Sequence, residues 1–135
     1  MVNNSNKDGL FRKVDCIRIP VSNLNDGLKF YRDKLGHKLI WRRENSIGLK
    51  IPESEAELVI HTEYDEAETD IKVDSVELAT KRFIEAGGTM VKKPFDIPIG
   101  KCVILMDPWG NKFVLLDSSK GVYITDSKGD VIGLD

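Results

Sequence analysis

Residues 16–36 read Cys-Ile-Arg-Ile-Pro-Val-Ser-Asn-Leu-Asn-Asp-Gly-Leu-Lys-Phe-Tyr-Arg-Asp-Lys-Leu-Gly. The first six alternate as a strand does. Leu24, Leu28, Tyr31 and Leu35 then recur at i, i+4, i+7 and i+11, which is one apolar stripe of a helix. Asn23 stands where an N-cap oxygen accepts from the free N–H groups of the first turn, and Gly36 closes the segment as helix-ending glycines do. The pattern recurs downstream. Asp70–Val73 (Asp-Ile-Lys-Val) is the strand, Ser75 the cap, Val76, Ala79, Thr80 and Phe83 the stripe, and Gly87-Gly88 the stop. Positions 24 and 76, 31 and 83, and 36 and 88 are each 52 residues apart. A single recurrence at that distance marks a duplicated module rather than a solenoid.

Three more strands are expected after each helix. They are His37–Arg43, Ser46–Ile51 and Glu57–Glu63 in the first module, and Thr89–Phe95, Lys101–Met106 and Lys112–Asp117 in the second. Asn45, Pro52-Glu53-Ser54 and Asp107-Pro108-Trp109-Gly110-Asn111 supply the turns, with Trp109 expected to pack its own turn. The chain therefore reads as an α+β fold of two βαβββ modules, 13–63 and 69–117, joined by the acidic linker 64–68. Residues 1–12 are polar and read as a loose segment, and the tail 118–135 is expected to form a β-hairpin within Gly121–Asp135.

Composition narrows the function. A 41% hydrophobic content over 135 residues is enough for a core and argues against disorder. Twenty Lys and Arg against 22 Asp and Glu leave a net charge of −2, with no bulk attraction to phosphate backbones, so nucleic acid is not an expected partner. The longest uncharged apolar runs, Cys102–Met106 and Phe113–Leu116, fall far short of the ~20 residues a membrane span needs, and the first residues lack the apolar stretch of a secretory signal. Two separated cysteines do not make a disulfide framework, so a cytoplasmic protein is expected. The sequence holds no Gly-rich phosphate loop, no Cys-x-x-Cys pair and no Gly-x-Ser-x-Gly elbow. A nucleophilic Cys16 or Cys102 would need a neighbouring histidine, and only His37 and His61 exist.

Several local signals coincide: Val21-Ser22-Asn23-Leu24 after the first strand, Phe30-Tyr31-Arg32-Asp33-Lys34-Leu35-Gly36, Val73-Asp74-Ser75-Val76, Ala86-Gly87-Gly88 and Asp107-Pro108-Trp109-Gly110-Asn111. Together, over residues 13–117, they resemble the vicinal oxygen chelate superfamily of glyoxalase I, bleomycin-resistance proteins and extradiol dioxygenases. That resemblance implies an eight-stranded open, cup-shaped sheet, frequent assembly as a homodimer, and a small-molecule ligand. Fold alone does not choose among the superfamily's functions.

In metal-using members, ligands come from the first and fourth strands of each module. Carried over, these positions fall on Cys16, on Glu68, on Val114, and on either Ile60 or His61, since a slip of one residue turns every side chain to the other face. A reduced Cys16/His61/Glu68 site for Zn, Ni, Mn or Fe is one reading. The other makes Cys16 a small core filler, Glu68 a solvated linker residue and His61 a surface or dimer-edge histidine. Val114 cannot coordinate, which favours the reading without a full metal set and without a metal cofactor. By parity Cys16 and Arg18 face inward, and Glu68, Asp70 and Lys72 share the cup side while Ile71 and Val73 serve the core. Arg18 can hold an anionic ligand, or can pair with Asp70 or Glu68. Trp41 offers an aromatic wall, or a core or dimer contact. The expected function is binding of a small, anionic organic molecule by Arg18, Cys16, Trp41, His61, Glu68 and Asp70. The rivals are a metal-dependent lyase, isomerase or dioxygenase with the reduced site, and an interaction module using the terminal hairpin.

Overall fold

A computed structural model describes residues 9–135; the expected loose segment 1–12 lies outside the described residues up to residue 8. The fold class is the α+β one expected, two βαβββ modules followed by a C-terminal hairpin. In chain order the elements are β1 (Lys13–Pro20), α1 (Leu24–Leu28, running on through a π-helical turn at Lys29–Lys34), β2 (Leu39–Arg42), β3 (Ser46–Lys50), β4 (Glu57–His61), β5 (Glu68–Lys72), α2 (Val76–Glu85), β6 (Thr89–Ile97), β7 (Gly100–Met106), β8 (Lys112–Leu116), β9 (Tyr123–Thr125) and β10 (Val131–Leu134). Among the described residues, no helix is long and apolar enough to cross a membrane.

The chain divides into two compact units. One comprises Asp15–Thr69 and Val122–Asp135. Its strands run in the order β2-β3-β4-β1, with β1 parallel to β4 and the other neighbours antiparallel. Leu28, Ile47, Leu49, Leu58 and Ile60 form its core under α1, and Ile19, Val21, Leu24 and Tyr31 pack against them. Fully burying such side chains contributes about 1.5–3 kcal/mol each. Asn23 caps α1 as expected, its Oδ1 accepting from the Asp26 N–H at 2.7 Å.

The first helix departs from the expected stripe at its end. The Leu35 N–H donates to the Phe30 carbonyl, five residues back, at 3.1 Å, so this turn is wider than an α turn. The extra residue rotates the end of the helix about its axis, and Leu35, expected on the buried stripe, is 53% exposed. Gly36, at φ +86°, then ends the segment.

The other unit comprises residues up to Val14 together with Asp70–Gly121. Its strands run β5-β8-β7-β6, with β5 parallel to β8. Here the stripe is as expected: Val76, Ala79 and Thr80 are buried and Phe83 packs on the core of Val73, Val103, Leu105 and Leu115. Ser75 Oγ accepts from the Leu78 N–H at 3.3 Å, and the Gly88 N–H caps the helix by donating to the Phe83 carbonyl. Trp109 does not pack its turn; it is 84% exposed. Asp107 holds that turn instead, accepting from the N–H groups of Trp109 and Asn111 and from Asn111 Nδ2.

The terminal hairpin forms where expected. Asp126 accepts from the N–H groups of Lys128 and Asp130 to close its turn. The Arg42 N–H donates to the Gly129 carbonyl at 2.7 Å, so the hairpin leans on β2 of its own unit, and Tyr123 and Val131 pack on Cys16, Trp41 and Val59.

Candidate functional site

The register of β1 and β4 decides which side chains meet. Cys16 lies opposite Glu57, Arg18 opposite Val59 and Pro20 opposite His61. Leu58 and Ile60 enter the core beneath α1, so Glu57, Val59 and His61 occupy the other face. The choice left open by the sequence resolves to His61 on the open face and Ile60 under the helix.

That face has two ends of different character. At one end, Cys16 is 4% and Trp41 8% exposed, sealed with Val59 beneath Tyr123 and Val131 of the hairpin. The Trp41 ring lies against Gly48 of β3 and 5.1 Å from the Tyr123 ring. Its Nε1 donates to Glu57 Oε1 at 2.7 Å. Cys16 is thus the core filler, and Trp41 the core contact, that the plainer readings describe.

The other end is polar. His61 is fully buried, neither at a surface nor at an edge. Its Nδ1 accepts from the Glu63 N–H at 3.2 Å, which leaves the ring proton on Nε2. Nε2 has no partner in hydrogen-bond geometry, although the Glu66 carbonyl lies close enough to favour a protonated ring. Tyr64 covers the imidazole, ring centroids 4.3 Å apart. The chain turns back after β4 and lays Glu63 and Tyr64 over Arg18. Arg18 Nε donates to Tyr64 Oη at 2.8 Å and Nη2 to Glu63 Oε1 at 3.0 Å. The side chain of Arg18 is 17% exposed and that of Glu63 42%. Arg18 forms an ion pair with Glu63, a partner that sequence reasoning does not name, because the inward row 57, 59, 61 continues to 63 past the strand end.

The electrostatics follow from burial and neighbours. Burial holds the Tyr64 hydroxyl well above its ordinary value; the Arg18 charge opposes this, and Glu68, which hydrogen-bonds the hydroxyl, adds to it. Burial, and then the Arg18 charge, push His61 below 6.5, against the opposing carboxylates of Glu63 and Glu68. A base depressed on folding is stabilising when neutral: its contribution is complete above pH 6.5 and is lost as pH falls from there through the folded value. Wild-type stability should therefore drop as pH falls below about 6.5, by at most about 1.4 kcal/mol per pH unit. His61→Gln, which keeps a neutral acceptor, should flatten that segment; denaturant midpoints measured at half-unit steps check it, and identical slopes would refute it.

Sequence reasoning finds Arg18, His61 and Glu68 but misses Glu57, Glu63 and Tyr64. The missed signal is the period-two row 57, 59, 61, 63, which closes on the last residue of the expected strand, while Tyr64 falls in the segment read as linker. Glu68 opens β5 and is half-buried. Asp70 is 5% exposed and lies opposite Val114 in the β5–β8 register.

The residues do not fit the family's metal centre. Cys16 and His61 sit four positions apart along paired strands, ~13 Å at strand rise. Glu57 is held by Trp41, and Val114 offers no donor beside Asp70. Among the described residues, no group of three His, Cys, Asp or Glu is placed to hold a metal ion.

Comparisons with known proteins agree on the architecture. Methylmalonyl-CoA epimerase from Mycobacterium tuberculosis is similar at 18% identity, with 82% of this chain and 90% of that chain covered and a TM-score of 0.69. A hypothetical protein from Bacillus halodurans C-125 is similar at 20% identity, covering 83% and 98%, TM-score 0.67. The NAD-dependent benzaldehyde dehydrogenase structure from Legionella pneumophila is similar at 13% identity, covering 77% and 98%, TM-score 0.63. At these identities the likeness is one of fold. No curated protein sequence matches the chain. Residues 13–115, most of the chain and all of α1, α2 and β1–β7, match the sequence profile of one family. The chain belongs to the Glyoxalase/Bleomycin resistance protein/Dioxygenase superfamily.

Proposed function

We propose that the protein binds a small organic anion at the polar end of the β1–β4 face, through Arg18, His61, Tyr64 and Glu68, without the family's full metal-ligand set. The observation that carries this reading is the fully buried His61 whose Nε2–H meets no acceptor in hydrogen-bond geometry, next to a largely shielded guanidinium. A buried donor that the Glu66 carbonyl meets only out of line forgoes part of the roughly 0.5–1.5 kcal/mol of a well-formed hydrogen bond, and a ligand oxygen in line with it would recover that part. Glu63 supports the anionic class. Its carboxylate already occupies Arg18 in the way a ligand carboxylate would, and its own exposure lets it swing into water at little cost. In this reading the protein works as a homodimer, as the family resemblance implies, and in the cytoplasm, as two cysteines without a disulfide framework suggest.

Nothing in the donor set favours carrying the epimerases' reaction over to this chain. Calorimetric titration with a panel of small mono- and dicarboxylates tests the proposal. A binder should lose about 10- to 100-fold in affinity in Arg18→Met and in His61→Phe. Equal affinity in wild type and both variants would overturn it, as would stoichiometric metal retained by protein purified without chelators.

A further inference from the structure

We propose that a cleft of about 330 Å³ between residues 9–12 and the outer side of α2 is a second small-molecule site, which takes an organic anion with a short apolar body. It lies wholly within the unit that carries α2 and shares no residue with the Arg18 cluster. Its floor is apolar. Val73 and Ala79 are core residues at 1% exposure, and Leu10 packs on the same cluster. Leu78 rises from the helix as one wall and is 69% exposed, an apolar side chain left in water at the mouth of an apolar hollow. Covering such a surface contributes roughly 25 cal/mol per Å².

The rim sets the sign of the ligand. Lys81, exposed on α2, lines the cleft together with Arg12 and Arg82, and Asp74 and Glu85 stand on the same rim. Arg12 is already steadied over the opening, donating to the Gly9 carbonyl at 3.4 Å and standing 3.8 Å from the exposed carboxylate of Asp74. The free N–H groups of the α2 N-terminus are not the attraction. Asp117 takes that of Val76 and Ser75 takes that of Leu78. The volume lies at the lower end of the range for ligand sites, so the apolar body is small: a short alkyl chain or a single ring. A carboxylate on the Lys81 and Arg12 side, with its hydrocarbon against Leu78, Ala79 and Leu10, satisfies both features at once.

Sodium octanoate is the probe, followed by amide chemical shifts of the full chain at millimolar concentration, with octanamide as its uncharged counterpart. The expected result is saturable shifts in residues 9–12 and 73–85, with weaker binding of octanamide. Leu78→Asp and Lys81→Glu lie at exposed helix positions, where folding is insensitive to the change, and each should weaken octanoate about tenfold or more. Arg18→Met should leave these shifts untouched, which separates this site from the Arg18 site in either direction of failure. Absence of saturable shifts in residues 9–12 and 73–85, or equal affinity in wild type and both α2 variants, would overturn the proposal.

Discussion

Asp117→Ala should lower the thermal midpoint by roughly 10–20 °C, a loss of about 3–5 kcal/mol. The carboxylate is 3% exposed and ties three segments together. Its Oδ2 accepts from the Val76 N–H at 2.9 Å, the first residue of α2. Its Oδ1 accepts from the Lys101 N–H of β7 at 2.9 Å, and from the N–H and hydroxyl of Ser119 at 3.2 and 2.8 Å. Alanine strands these donors, two of them on regular elements whose positions it cannot relax. Asp117→Asn keeps one oxygen and should fall between. Burial pushes the Asp117 carboxyl up, but the donors from Val76, Lys101 and Ser119 together outweigh it and hold it below 3.8. A carboxylate depressed on folding contributes fully above its unfolded value and loses that contribution as pH falls through the folded one. The gap between wild type and Asp117→Ala should therefore close in acid below about pH 4. Calorimetry over pH 3–7 checks both parts; an alanine variant melting within two or three degrees of wild type at neutral pH would be incompatible with this account.

Gly48→Ala should release the C-terminal hairpin and make Cys16 react with a thiol reagent at least about a hundredfold faster. A methyl group built on Gly48 would overlap Nε1, Cε2 and Cδ1 of Trp41. The indole has to leave, which breaks the bond to Glu57 and opens the cluster of Cys16, Val59, Tyr123 and Val131. Overpacking costs typically 1–3 kcal/mol, and the displaced indole gives up its buried contacts as well. A total near 3 kcal/mol raises the population of the open form by roughly 150-fold, and thiol labelling reports that population. The measurement belongs in a Cys102→Ala background, because Cys102 is also a buried cysteine outside any disulfide. Removing residues 122–135 should expose Cys16 to the same degree without touching Gly48. Unchanged protection of Cys16 in both variants would mean that the hairpin does not seal this face.

The architecture was legible because it is written locally and twice. Each helix announces its own cap, stripe and glycine stop, and these devices need nothing from the rest of the chain. What escaped depends on residues far apart in sequence. That Cys16 is closed off comes from Tyr123 and Val131, more than a hundred residues away, and no periodicity in residues 13–21 could carry it. That Cys16 meets Glu57 rather than His61 is a matter of parallel register, which the loop lengths around β2 and β3 set rather than the strands themselves. The widened turn before Leu35 shifts a side chain by one position, a change that Phe30-Tyr31-Arg32-Asp33-Lys34 shows no sign of in its composition.

The two indoles are disposed in a way an experimenter can use. Trp41 is walled in beside Tyr123 in the unit that ends with the hairpin, whereas Trp109 stands almost wholly in water on a turn of the other unit. An indole in a dry cage emits to the blue of one in water. The molecule thus carries one built-in lamp per half, each of a different colour, and a spectrum recorded during melting distinguishes a half that lets go early from a chain that comes apart all at once.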